Sequence, residues 1–415
     1  MRIGRERPFL LAIGLAVSIA GGMGGLLAGS PPHVAAQGRR ALGLGHLPPA
    51  SPCGMRGVPS PFGGGHRQFP TVAYNSLHDE YLLVWVEENE IVAVRLNSNG
   101  RPKYRDDDFN VTVIPIAPAY SPSPPALSYS ETYNEYLLVW SAGIFITESG
   151  LNLSAQVLDG NTGKPKGTTF LLGSPSGSPP SSGVYIPPSG DQIAPAIAYN
   201  PRRDEYLVVW NDDRNLGTTG WDLFAQRLDG EDKEPKGPVF ALHDGASHQV
   251  SPTLAYNRRE ETYLVVWGDD RNLGATGWDL FARRIDAEGK PTGQDIPLLT
   301  ADGDQTSPAL AYNPRDNYYF VVWSDERGAE LGSVDLLGVR LNGNGWPIRR
   351  SVAICEVGGS PLFPALGSSI DDDYVAIWND DRNANGGLDI YGRRLNGNGI
   401  PFGSDFPIIT DQQLP

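Results

Sequence analysis

An all-β fold of six repeated four-stranded sheets is what this 415-residue sequence predicts, on three observations. A block recurs along the chain, its closing tryptophans fall at a near-constant interval, and turn-forming Gly and Pro reach 50 and 36 residues. The clearest copies are PAIAYNPRRDEYLVVW at 195–210, PTLAYNRREETYLVVW at 252–267 and PALAYNPRDNYYFVVW at 308–323. Weaker copies are PTVAYNSLHDEYLLVW at 70–85, PALSYSETYNEYLLVW at 125–140 and PALGSSIDDDYVAIW at 364–378. The closing residues are Trp85, Trp140, Trp210, Trp267, Trp323 and Trp378, separated by 55, 70, 57, 56 and 55 residues. The long interval holds SPSGSPPSSGVYIPPSG at 174–190, a low-complexity insert that reads as a loop. Self-similarity at this period marks a repeat architecture, and the turn-rich composition suits many short strands.

Each repeat resolves into four strands. The first is PxLAYN, ended by an Asn turn. The second is EYLVVW, apolar on both faces, as a strand sandwiched between neighbouring sheets must be. The third reads DLFAQRL at 222–228, DLFARRI at 279–285, DLLGVRL at 335–341 and DIYGRRL at 389–395. The fourth is short, as in PVFAL at 238–242, DIPLL at 295–299 and DFPII at 405–409. DGEDKEPKG, DAEGKPTG and NGNGWP supply the turns before it. Four antiparallel strands per repeat, arranged radially, describe the blades of a six-bladed β-propeller over 66–415. The blades fall at about 66–120, 121–190, 191–248, 249–304, 305–360 and 361–415. The chain stops in DQQLP, at the same phase as Gln192 to Pro195, so each blade is expected to use contiguous strands. A disulfide between Cys53 and Cys355 is then the expected ring lock, closing a loop of about 300 residues. In the chain-entropy model such a loop contributes about 5 kcal/mol.

Residues 1–36 read as an export signal: Arg2, Arg5 and Arg7, then an uncharged stretch from Phe9 to Gly29, then Val34-Ala35-Ala36. A Pro/Gly-rich lead-in follows over 37–65. The expected mature protein is secreted or at the cell surface, with no membrane span after signal cleavage. A net charge of −15 argues against nucleic acid as a partner. Two cysteines exclude a four-Cys zinc site.

The VVW-x-D segment resembles the Trp-x-Asp element of six-bladed propellers with YWTD repeats, and the general plan is similar to TolB-like propellers. The AYN…EYLVVW…DR…R pattern resembles a set of uncharacterised exported bacterial proteins, over roughly 66–415. The resemblance implies the propeller fold and no particular activity, because propellers host hydrolases, lyases and binding proteins alike.

The strongest local signal is the loop between second and third strands: NDDRNLGTTGWD at 211–222, GDDRNLGATGWD at 268–279, SDERGAELGSVD at 324–335 and NDDRNANGGLD at 379–389. Blades 1 and 2 lack it. In one reading the loops are scaffold, the Asp and Arg of one loop pairing with each other or with the next blade, and the third-strand arginines Arg227, Arg284, Arg340 and Arg394 being further partners. In a second, Asp212, Asp213, Asn215 and Asp222 hold Ca²⁺ through hard oxygen donors. In a third, the loops form a ligand-binding rim. Its residues would be Asp212, Asp213, Arg214, Asn215 and Trp221 in blade 3, Asp269, Asp270, Arg271, Asn272 and Trp278 in blade 4, and Asp380, Asp381, Arg382 and Asn383 in blade 6. His243 and His248, in HDGASH, offer a weaker transition-metal reading. No GxSxG, HExxH, CxxC or GxxxxGK[ST] motif occurs, so no catalytic residue is assigned. The leading expectation is a binding, adhesion or scaffold module for extracellular carbohydrate or protein. The alternatives are a propeller-type hydrolase or lyase acting on extracellular polysaccharide, and an envelope or filament subunit.

Overall fold

The computed structural model describes residues 67–105, 110–118, 123–143, 150–172, 190–327, 334–355, 361–371, 373–383 and 387–410. The export signal, the lead-in, Cys53 and the DQQLP end lie outside these residues. Six four-stranded antiparallel sheets follow one another along the chain. In blade 3 the strands are Gln192–Asn200, Glu205–Asp212, Asp222–Asp229 and Phe240–His243, paired in that order. Blade 1 carries an extra hairpin, Tyr104–Arg105 with Asn110–Val111, before its fourth strand Ile114–Pro118. This is the six-bladed β-propeller that the Trp interval predicts.

The core lies between blades. Six apolar clusters are present, one at each junction of adjacent blades. The pleat of the second strand distributes its side chains to both sides. In blade 3, Tyr206, Val208 and Trp210 pack toward blade 2, while Leu207 and Val209 pack toward blade 4. That two-sided burial is why EYLVVW is apolar throughout, with Leu207 and Val209 fully buried.

Ring closure is non-covalent among the described residues. Cys355 is a buried thiol whose Sγ lies 3.2 Å from Asp405 Oδ2, its expected partner Cys53 lies outside the described residues, and among the described residues blade 6 packs on blade 1. Val72, Leu83 and Trp85 meet Val375, Ile377 and Ile390 there, and the Phe69 and Phe363 rings stand 4.6 Å apart. Arg67, wholly buried, reaches Asp389 of blade 6 at 3.1 Å and Glu87 of its own blade at 3.2 Å.

First strands line the central channel, where a cavity of about 170 Å³ is bounded by residues from all six blades. Each first strand except that of blade 2 bulges at the residue before its proline. Phe69, Ala194, Ser251, Ser307 and Phe363 take φ of 48–55°, a strained value for non-glycine residues. In blades 1, 3 and 4 a side chain from the preceding blade holds the bulge, and in blade 3 it is Ser123 Oγ, which accepts from the Ala194 N–H. Asn379 accepts from the Phe69 N–H at 3.0 Å and donates to Arg67 O, and Asn211 does the same for Ser251 and Gln249.

Candidate active site

The two acids of each DDR loop have different jobs. The first closes a scaffold contact. Asp212, 1% exposed, accepts from Trp210 Nε1 at 3.0 Å and from Arg214 Nε and Nη2 at 2.7 and 2.6 Å. Asp269 is held likewise by Trp267 and Arg271, Asp325 by Trp323 and Arg327, and Asp380 by Trp378 and Arg382. The guanidinium of each clamp except that of Arg327 then covers an aromatic ring of the third strand, Phe224, Phe281 or Tyr391, at 4.0–4.1 Å. Burial alone would raise the Asp269 carboxyl, but the bonds from Arg271 and Trp267 outweigh it and hold it below the usual range. Blade 1 builds the same clamp from Glu87 and Arg67. Blade 2 has no acid at this point, and the buried Trp140 Nε1 has no acceptor among the described residues. The first acid is thus paired with the arginine of its own loop, as the scaffold reading has it. Arg227 pairs with Glu205 and Arg394 with Asp373, so the clamp is made by the arginine of the loop itself.

The second acid lies one residue beyond the end of its strand, opposite the residue that precedes the first strand of the same blade. Asp213 N–H donates to Asp191 O at 3.2 Å, and Asp213 Oδ1 accepts from Asp191 N–H at 2.6 Å. Asp270 and His248 repeat this exchange, and Glu326 N–H donates to Asp304 O. Three successive blades thus place Asp191/Asp213, His248/Asp270 and Asp304/Glu326 where channel-lining strands begin, at one mouth of the channel. The preceding blade orients the partner residue. Leu151 N–H donates to Asp191 Oδ1 at 2.7 Å, Trp278 N–H to Asp304 Oδ1 at 3.0 Å, and Trp221 N–H to His248 Nδ1 at 3.1 Å. Gly277, at φ 98°, makes room for this approach, since a Cβ there would stand 2.5 Å from Asp304 Oδ1.

At the channel mouth the electrostatics single out two carboxyls. Asp213 is half-buried and raised, first by desolvation and then by the charges of Asp191 and Asp212. Glu326 is raised in the same sense, by desolvation and by Asp304 and Asp325, although much of its side chain is exposed. A carboxyl whose proton is held more tightly than usual beside a second carboxylate is an arrangement that general acid–base chemistry uses. The shaft below contributes none of this: its described lining is Pro, Ala, Val, Leu, Ile and Phe, with a few Ser and Thr hydroxyls.

The other expected site residues are also placed. Asn215 and Thr219 donate to Asp222 Oδ2 at 3.0 and 2.8 Å, and Asn272 and Asn383 hold Asp279 and Asp389 in the same way. Of Asp212, Asp213, Asn215 and Asp222, only Asp222 keeps a buried carboxylate oxygen without a hydrogen-bond partner. Asp381 is exposed. Trp221 is 8% exposed and packs within the ring, while Trp278 is half-buried. His243 and His248 belong to different networks. His243 Nδ1 accepts from Gly245 N–H, so Nε2 faces Asp295 Oδ2 at 3.0 Å as the donor. Arg271 joins that Asp295, and Cys355, Asp405 and Arg382 repeat the cluster between blades 5 and 6. Burial pushes the Cys355 thiol well up, which leaves it unreactive. Sequence reasoning missed Asp191, Asp304 and Glu326. Their signal was position alone, either just before Gln-x-x-Pro or second in the acidic loop.

No family model and no curated protein matches the sequence. Solved structures do share the fold. An α-L-arabinofuranosidase from Fusarium graminearum, in complex with an iminosugar inhibitor, aligns with a TM-score of 0.53 at 13% identity, over 80% of this chain and 93% of that one. The GH93 α-L-arabinofuranosidase of the same fungus, bound to arabinobiose, gives 0.51 at 12% identity, over 80% and 93%. A Dyadobacter fermentans protein of unknown function gives 0.52 at 13% identity, over 80% and 94%. At these identities the likeness establishes the six-bladed architecture. Those of the three with a described activity are glycoside hydrolases. That finding displaces the expectation of a non-catalytic binding or adhesion module.

Proposed function

We propose that this protein is a propeller-type hydrolase that cleaves glycosidic bonds of an extracellular polysaccharide at the channel mouth. The carrying observation is Asp213, whose carboxyl is raised by burial and by Asp191 and Asp212, beside a carboxylate that the Leu151 N–H orients. In this reading Asp213 is the general acid that protonates the leaving oxygen. Asp191, Asp304 and Glu326 are the carboxyls available to activate water or stabilise the oxocarbenium-like centre. The clamped first acids hold the loops that carry these carboxyls. The fold likeness to arabinofuranosidases directs the substrate panel to arabinan, arabinoxylan and xylan. Release of reducing ends from at least one of them is expected. Its rate should fall at high pH, as the raised carboxyl of Asp213 loses its proton. An absence of turnover on all three, together with absence on aryl glycosides of the same sugars, contradicts the reading.

A further inference from the structure

Buried between the blades, one residue along the first strand from the channel-mouth pairs, one position is filled in three different ways. It is the first residue of the first strand, which meets the first residue of the preceding blade's third strand. At the junction of blades 6 and 1 these are Arg67 and Asp389, and the guanidinium sits 3.1 Å from Asp389 Oδ1. At the junction of blades 3 and 4 they are Gln249 and Asp222, both fully buried. Gln249 N–H donates to Trp221 O at 2.8 Å, which brings the two side chains into the same pocket. Asp222 Oδ2 takes Asn215 and Thr219, while Asp222 Oδ1 and Gln249 Oε1 have no donor among the described residues. Blades 4 and 5 repeat this with Gln305 and Asp279, again fully buried and tied through Trp278 O, and again with Asp279 Oδ1 and Gln305 Oε1 lacking a donor.

Rotating the amides does not resolve the shortage. Gln305 Nε2 already serves the carbonyls of Ala301 and Gly303, and Gln249 Nε2 serves Ser247 O. A rotated amide would set its oxygen against those carbonyls. Nor does a described ion pair reach Asp222 or Asp279, so each is a buried carboxylate held by neutral donors only. Such a charge is costly unless a counter-charge accompanies it. At the 6/1 junction the counter-charge is Arg67.

We propose that the 3/4 and 4/5 junctions each bind a small hard cation, sodium or calcium. Asp222 Oδ1 with Gln249 Oε1, and Asp279 Oδ1 with Gln305 Oε1, are ligands, and the cation stands where the Arg67 guanidinium stands at the 6/1 junction. Carboxylate and amide oxygens are the donors such ions prefer. At the 2/3 junction the buried residues are Gln192 and the neutral Asn152, whose Oε1 and Oδ1 also lack a donor but carry no charge, so two ions are expected at the described junctions.

The test uses the full chain, stripped with chelator and held in choline chloride at constant ionic strength. Calcium and sodium are titrated separately while Tm and bound metal are followed. A saturable rise in Tm with two ions bound is expected from one of the two, and the pair of titrations identifies which. Gln249→Arg and Gln305→Arg import the guanidinium of the 6/1 junction. Each should remove one ion, and the double variant should melt at the same temperature with and without the cation. If the arginine variants do not fold, Asp222→Asn and Asp279→Asn copy Asn152 and should weaken binding at least tenfold. Absence of saturable binding of either ion to the wild-type chain overturns the proposal and leaves water in both pockets. A bound stoichiometry unaffected by all four substitutions overturns it equally.

Discussion

Replacing Asp269 by Asn tests the division of labour between the two acids of the loop. Asp269 is fully buried and accepts five bonds: Trp267 Nε1 at 3.0 Å, Ser247 Oγ at 3.1 Å, and Arg271 N, Nε and Nη2 at 2.9, 2.8 and 2.6 Å. An asparagine keeps one acceptor oxygen and turns an NH₂ group toward donors. It also removes the charge that compensates Arg271. Breaking a buried pair typically costs about 3–5 kcal/mol. Arg271 is 30% exposed and keeps Asp295 at 3.0 Å, so part of its charge stays solvated and paired, which favours the low end, about 3 kcal/mol. At about 2 °C per kcal/mol, suited to a large domain, Tm should fall by about 6 °C in a calorimetric scan. Asp270→Asn is the matched control, because an amide oxygen can still accept the His248 N–H, and it should shift Tm by no more than about 1 °C. Equal losses from the two variants, or a larger loss from Asp270→Asn, would refute the assignment.

Other perturbations follow from the same contacts. Ala142→Asn offers the orphaned Trp140 Nε1 an acceptor and should raise stability by about 1 kcal/mol, read as a higher Tm. Val209→Asp puts an unpaired charge into the junction of blades 3 and 4 and should abolish a cooperative thermal transition; a normal melt would undercut the blade packing. Asp269 and Asp295 both have depressed carboxyls, so their contribution is fully present above the unfolded carboxylate value of about 3.9 and is lost as pH falls through their folded values. Tm should therefore stay level down to about pH 4 and fall below it. Asp213 carries the opposite sign, because its raised carboxyl is destabilising once ionised. Asp213→Asn should accordingly raise Tm at pH 7 even as it removes activity.

The blades were legible because each repeat needs one strand buried on both faces, and EYLVVW with its closing Trp advertises that need. The DDR loop was legible as a unit but not in its parts. Asp212 and Asp213 are adjacent and chemically identical, yet one ends a strand facing Trp210 and the other lies past it facing Asp191. Only the register of the strand pair separates them. Asp191 and Asp304 were hidden because nothing local marks them; their role comes from a backbone N–H supplied by the preceding blade. The junction position was hidden for a related reason. Arg67 and Gln249 occupy the same phase of the repeat, but which oxygen goes unpartnered depends on neighbours in the next sheet. Spacing alone says nothing about how blades 6 and 1 are held together. Burial of Arg67 between Glu87 and Asp389 is a tertiary fact.

The most direct test of the proposed chemistry compares wild type and Asp213→Asn on two substrates with the same sugar. One is an unactivated oligosaccharide, and the other carries a dinitrophenolate leaving group that departs without protonation. If Asp213 is the general acid, the variant loses roughly 10²–10⁴-fold on the oligosaccharide and far less on the activated glycoside. Equal losses on both, or undiminished hydrolysis of the oligosaccharide, would contradict the account.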